Sequence, residues 1–273
     1  MSKLHGTPFD LADKVIVITG GAGFLGRQHA QAVQLAGGTP VLLDLARAKP
    51  EAAAKQLGGN ALGLAADITS QASLKSALKT ILRKLGRVDA LINNAAANPQ
   101  VGKGGLAQNH RLEEINAAGL LAEIEVGLCG AVFASQIFGA HMAEHGGGVI
   151  VNIASDLALI APDQRLYRKA GLPRRAQPVK PVGYSVVKAG LLGLNRYLAT
   201  YWADEGVRVN AICPGGVERD QSPAFRRKLA RLIPLGRMAR SHEYAGAIIF
   251  LLSPASSYMT GAVLTVDGGR TAW

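Results

Sequence analysis

The feature that most restricts the fold of this 273-residue chain lies within its first 44 positions. Lys14-Val15-Ile16-Val17-Ile18-Thr19 is a β-rich run that ends in Gly20-Gly21-Ala22-Gly23-Phe24-Leu25-Gly26. Residues 27–36 read as a helix, Gly37-Gly38 stops it, and residues 39–44 read as a second strand. Strand, G-x-G-x-x-G, helix, strand and an acid 18 positions beyond Gly26 make one βαβ unit. Glycines let the backbone turn sharply and approach a pyrophosphate, and a helix N-terminus offers unpaired N–H groups to its charge. The unit predicts a dinucleotide cradle at Gly20, Gly21, Gly23, Phe24, Leu25 and Gly26. Asp44 would accept hydrogen bonds from the adenosine ribose and repel a 2′-phosphate.

The alternation continues along the chain. A helix over 51–57 precedes a strand over 61–66 that runs into Asp67-Ile68-Thr69; a capped helix over 70–85 precedes a strand over 88–93. Asp67 and Ile68 are placed to meet an adenine, and Asp67 serves equally well as a helix N-cap. Asn94, Ala95 and Ala96 are small or polar residues against which a cofactor can lie. Residues 98–110 read as a loop and 111–145 as helical; a strand over 149–153 then delivers Ser155 and Asp156 to the edge where ligands bind. Two further βα units, with helices over 184–202 and 243–252 and strands over 207–212 and 262–266, complete the chain. The prediction is a single-domain (1–273) α/β fold of Rossmann type, a doubly wound parallel sheet with helices on both faces.

Tyr184 and Lys188 fall one helical turn apart, their Cβ atoms ~5–6 Å from each other. A phenol titrates near pH ~10; an ammionium one turn away favours the phenolate, lowers that value and makes the tyrosine a usable acid/base. The pair alone is a common surface pairing, and it gains meaning from the cradle that precedes it.

With 48% hydrophobic residues the chain can bury a large core. Cys129 and Cys213 lie in apolar surroundings without a CxxC spacing and read as reduced core thiols. The start lacks an apolar leader and no apolar run approaches ~18 residues, so the expectation is a cytoplasmic protein with no membrane partner. His141-Met142-Ala143-Glu144-His145 matches H-x-x-E-H, yet nothing else supports zinc, and no metal is expected. The net charge of +11 admits nucleic acid, a membrane surface or acidic small molecules. Aromatic residues are not interleaved with the basic runs, which argues against nucleic acid.

Taken together, the Gly20–Gly26 turn, Asp67, Asn93-Asn94-Ala95, Ser155, Tyr184-x-x-x-Lys188, Asn210-x-x-x-Pro214-Gly215 and Val266-Asp267-Gly268-Gly269 resemble a short-chain dehydrogenase/reductase over nearly the whole chain. Within that family the chain looks like a bacterial branch acting on sugars of surface and flagellar glycans. The resemblance implies that Tyr184 exchanges a proton with the substrate oxygen, that Lys188 holds the nicotinamide ribose and lowers the tyrosine pKa, and that Ser155 binds the reacting oxygen. It also places Pro214, Gly215 and Val217 against the cofactor and a homotetramer (or homodimer) on the apolar helix that begins at Tyr184. The tip Ala272-Trp273 could join that interface or stay loose.

Three departures accompany the resemblance. The glycine spacing follows the family's extended members, which include sugar-nucleotide epimerases and dehydratases. Gly127 stands where compact members carry an asparagine that helps a proton relay. The gap from Ser155 to Tyr184 is 29 residues, against a family norm of about a dozen. The excess, 161–182, is a basic insertion containing Arg165, Arg168, Lys169, Arg174, Arg175 and Lys180. A second basic segment at 218–240, Arg226, Arg227, Lys228, Arg231, Arg237 and Arg240 among it, falls where the family carries its substrate lid. Arginine forks suit phosphate or carboxylate, so an anionic sugar phosphate, nucleotide sugar or sugar acid is expected, with Asp156, Arg165, Arg174 and Arg175 as substrate contacts. The alternative is that these charges face solvent or form salt bridges. Asp44 followed by Leu45 favours NAD, and Arg47 and Lys49 keep NADP in play. Two other functions remain open: an epimerase or dehydratase that uses NAD transiently, and a cofactor-binding regulatory protein without catalysis.

Overall fold

The computed structural model describes residues 4–96 and 111–273. Strands Val15–Thr19 (β1), Thr39–Asp44 (β2), Leu62–Ala65 (β3), Ala90–Asn93 (β4), Gly148–Ile153 (β5), Val207–Pro214 (β6) and Val263–Val266 (β7) form one parallel sheet. Its order, β3-β2-β1-β4-β5-β6-β7, reverses direction between β1 and β4. In such sheets the crevice beyond the strands' C-terminal ends at that reversal is the ligand site.

The central strands are continuous apolar runs because helices cover both faces. Alternate residues of β1 enter opposite cores. Val17 packs with Leu43, Leu91, Ile150, Phe138 and Leu198, whereas Ile16 and Ile18 pack with Val33, Leu42, Ile92 and Ile248. The helices are Phe24–Leu35 (α1), Pro50–Leu57 (α2), Gln71–Leu85 (α3), Ala117–Glu144 (α4), Val182–Tyr201 (α5), Pro223–Ala230 (α6) and Ala245–Leu252 (α7). Ser70, not Asp67, caps α3: its hydroxyl accepts from the Ser73 N–H, and Gly86 in the left-handed region ends the helix.

Most boundaries match the sequence pattern within two residues. Helix α6 was not anticipated, because a run of arginines hides its one buried stripe; Ser222 caps it and Leu229 is its buried anchor. The loop expected at 98–110 lies outside the described residues.

Helix α4 corrects a second expectation. Through 28 residues, with π-turns at Glu125–Cys129 and Ser135–Gly139, it is long and apolar enough to cross a membrane by length and composition. Its C-terminal half is a core element, with Ala134, Ile137, Phe138 and Met142 packed on the sheet. On its outer face and along α5, Leu121, Val132, Val186, Tyr197 and Tyr201 stay exposed. Among the described residues no β-sheet face covers them. Trp273 at the end of the chain is exposed as well.

Candidate active site

A cleft of about 1400 Å³ opens over the C-terminal edge of β1, β2, β4, β5 and β6. The glycine turn forms one wall. Gly20 has φ +63°, and a Cβ on Gly26 would land on the Gly20 carbonyl oxygen and 2.7 Å from Gly21 Cα. Only glycine at these two positions lets the turn close this tightly. Thr19 and Asn94 bind it to β4: the Thr19 hydroxyl accepts from the Asn94 and Ala95 N–H groups, and the Asn94 amide donates to the Thr19 and Gly20 carbonyls. At the end of β2, the Asp44 carboxylate accepts from Ala22 N at 3.1 Å and Leu45 N at 2.9 Å, so the acid is anchored beside the turn. Asp67 accepts from Thr69, and with Ile68 it lines the cleft.

The predicted cofactor residues Gly20, Gly23, Phe24, Leu25, Gly26, Asp44, Asp67, Ile68, Asn94, Ala95, Ala96, Pro214, Gly215 and Val217 all line this cleft. Gly21 does not. Its backbone packs on β2, where a Cβ would be 2.7 Å from Leu42 Cα, so its smallness serves the sheet. The bare cradle and the anchored acid fit a dinucleotide's pyrophosphate and ribose.

Ser155, Tyr184 and Lys188 converge farther along the same cleft. The Ser155 side chain acts on Tyr184 in the direction that lowers the phenol's pKa. The Ser155 hydroxyl also donates to Asp156 Oδ1 at 2.8 Å. Lys188 is buried, and its Nζ donates to the Ile153 carbonyl at 2.6 Å, 5.9 Å from the Tyr184 ring centre. Burial, then the charge of Lys180, pulls the Lys188 pKa down to about 8. The expected lowering of the tyrosine pKa is reversed in this structure. Burial and, after the opposing Ser155 hydrogen bond, the Asp156 charge hold Tyr184 above its usual value. The reason is geometric: the lysine is spent on a carbonyl, and desolvation outweighs it.

The substrate residues need more correction. Arg165 forks onto Asp163 and points to solvent. Arg174 and Arg175 are exposed, and none of the three reaches the cleft. Arg226 pairs with Glu218 and Arg237 with Glu243, so part of the basic excess is consumed in surface salt bridges. Asp156 lines the cleft, yet its carboxylate is held by Arg270 at 2.5 Å, both side chains being buried. Among the described residues, the cations that line the cleft are Arg47, Arg168, Lys169, Lys180, Lys188, Arg219, Lys228 and Arg270.

Lys180 is placed by its own segment. The Gln164 side chain accepts from the Lys180 N–H and donates to its carbonyl, tying the start of the insertion to its end. This sets the Lys180 ammonium 3.7 Å from the Tyr184 ring centre, and burial lowers its pKa to about 8. Leu166 packs with Leu229, Ile233 and Met238, and Tyr167 meets Phe225, so the insertion and α6 form one roof over the cleft. Arg270 was missed by sequence reasoning. Its only local signal is an arginine following Asp267-Gly268-Gly269, a turn that Asp267 closes on the N–H groups of Gly269 and Thr271.

Gly127 lies within the first π-turn of α4. A Cβ there would be 2.5 Å from Val187 Cγ1, so an asparagine has no room. Gly127→Asn is expected to destabilise the fold by about 1–3 kcal/mol through overpacking, and Val187→Ala in the same chain to recover most of it, read by urea unfolding. The His141 and His145 rings lie 4.1 Å apart, tilted by 31°, at the end of α4, and among the described residues no cluster fit to hold a metal is found.

Comparison with known proteins agrees with this geometry. A family model described as enoyl-(acyl carrier protein) reductase matches residues 21–271. The chain belongs to the short-chain dehydrogenase/reductase family, and it is an NAD(P)-dependent dehydrogenase/reductase. It is 34% identical over 271 residues to D-threitol dehydrogenase of Mycolicibacterium smegmatis, covering 96% of this chain and 95% of the relative. It is 31% identical to galactitol 2-dehydrogenase (L-tagatose-forming) of Cereibacter sphaeroides, covering 98% of each. Among solved structures, a gluconate 5-dehydrogenase from Burkholderia cenocepacia in complex with NADP and tartrate superposes with a TM-score of 0.84 at 26% identity, covering 97% of this chain and 98% of that one.

Proposed function

We propose that the protein interconverts a secondary alcohol and a ketone on a sugar-like polyol or sugar acid, using NAD in preference to NADP. The observation that carries this is the shared cleft: a bare glycine cradle at one end, and Ser155, Tyr184 and Lys188 at the other. When bound, the nicotinamide supplies the hydride acceptor or donor. Tyr184 exchanges the proton of the substrate oxygen, Ser155 hydrogen-bonds the reacting oxygens, and Lys188 would hold the nicotinamide ribose. Relatives named for threitol and galactitol support free polyols over glycan-bound sugars. Lys180, Arg168 and Lys228 at the substrate end favour a substrate that also carries a carboxylate or phosphate.

The test is a panel of tetritols, hexitols, aldonic acids, sugar phosphates and nucleotide sugars, followed by reduction of NAD+. Turnover of nucleotide sugars without net NADH would support the epimerase reading instead. Lys180→Met is expected to raise KM for an acid substrate at least about tenfold, and an unchanged KM would remove the anionic reading.

Asp44 supports the NAD preference, since a 2′-phosphate would meet its carboxylate. Titration of the protein with both dinucleotides should show tighter NAD binding. Asp44→Ala should narrow that preference by about tenfold or more.

A further inference from the structure

Ser155 has one proton to donate and two claimants. Its hydroxyl lies 2.8 Å from Asp156 Oδ1, and it also acts on Tyr184, where donation to the phenolate lowers the pKa. A carboxylate is a stronger acceptor than a neutral phenol, so the proton points to Asp156 and is withheld from the tyrosine. Withholding it removes a donor that would otherwise favour the phenolate. Asp156 in turn is fixed from two sides. Oδ1 also accepts from the Leu157 N–H at 2.8 Å, and Oδ2 meets the Arg270 guanidinium at 2.5 Å. Asp156 and Arg270 are both almost fully buried and lie 114 residues apart in sequence, brought together by the C-terminal turn.

We propose that Asp156 and Arg270 are positioning residues that decide which way the Ser155 hydroxyl points and, through it, how readily Tyr184 gives up its proton. Asp156 opposes the phenolate by its charge and by claiming the serine proton. Arg270 offsets that charge. The two residues therefore act with opposite sign on the same group. This inference rests on the reading of Ser155 and Tyr184 as the proton-transfer pair. It supplies a control that the missing asparagine at Gly127 leaves vacant.

Other charges face the pair and stay constant in the comparison. Lys180 and Tyr167 reach Tyr184 from the insertion, and Lys188 reaches it from α5. Glu123 of α4 acts on Lys180. Cys213 of β6 and Tyr244 ahead of α7 face Asp156, and Asp267 of the C-terminal turn faces both of them.

The test is a pH titration of protein carrying ¹³Cζ-tyrosine, read by NMR with and without NAD+, the Tyr184 resonance being assigned by its loss in Tyr184→Phe. Relative to wild type, Asp156→Asn should shift the Tyr184 midpoint down by about one unit or more, and Arg270→Gln should shift it up. Arg270→Lys, which keeps the charge, should stay near wild type and guards against misfolding of the Gln variant. The pH midpoint of kcat for alcohol oxidation should move with the resonance. Shifts of the same sign in Asp156→Asn and Arg270→Gln, no shift in either, or Arg270→Lys matching Arg270→Gln would overturn the proposal. The resonance reads Tyr184 without turnover. Opposed shifts in a protein inactive on every alcohol would thus support this inference and count against the proposed function alone.

Discussion

Tyr184→Phe is expected to lower kcat by about 10²- to 10⁴-fold in either direction while leaving dinucleotide binding and the thermal midpoint close to wild type. The substitution removes one oxygen from a side chain whose ring stays packed beneath Lys180. Ser155 then loses its phenolic partner, and the substrate oxygen loses its proton acceptor. The pH dependence follows from the raised tyrosine pKa. Alcohol oxidation needs the phenolate, so wild-type kcat should climb as pH rises towards that value; carbonyl reduction needs the phenol and should fall over the same range. In Tyr184→Phe both limbs should flatten. A residual rate within tenfold of wild type would take the tyrosine out of the chemistry.

The second large effect is expected at the cradle. Gly26→Ala places a Cβ against the Gly20 carbonyl and within 2.9 Å of the Gly21 carbonyl carbon, and neither backbone atom can rotate away. Overpacking of this kind costs about 1–3 kcal/mol, equivalent to about 5- to 150-fold in an equilibrium constant. The cost falls on the turn proposed to receive the pyrophosphate, so the Kd for NAD should rise by that factor in a calorimetric titration. Gly246→Ala is the control, because an added Cβ there meets nothing within 4 Å. Equal effects at both positions would show that the loss at Gly26 is not a property of the cradle.

The relation between sequence and structure is uneven, and its pattern has a cause. The glycine turn, the strands that flank it and the Tyr184–Lys188 pair are short-range patterns, set by backbone sterics and by helical and strand periodicity. Each was legible from adjacent residues. Asp44 was also legible, because one βαβ unit fixes where the end of β2 must lie. The charge excess was visible as a count, but the partner of each arginine was not. Arg165 found Asp163 two residues away, while Arg174 and Arg175 turned outward.

By itself the sequence determined the doubly wound sheet and the glycine turn, which follow from local geometry repeated along the chain; helical spacing paired Tyr184 with Lys188, and Ser155 was singled out by its place at a strand end and by family resemblance. Tertiary structure alone decided how those three side chains are tuned. Lys188 is bonded to a carbonyl 35 residues away, Lys180 reaches the tyrosine ring from the insertion, and Arg270 crosses from the chain's end to Asp156. A side chain's desolvation and its partners depend on what the fold packs around it, and no spacing along the chain encodes that environment.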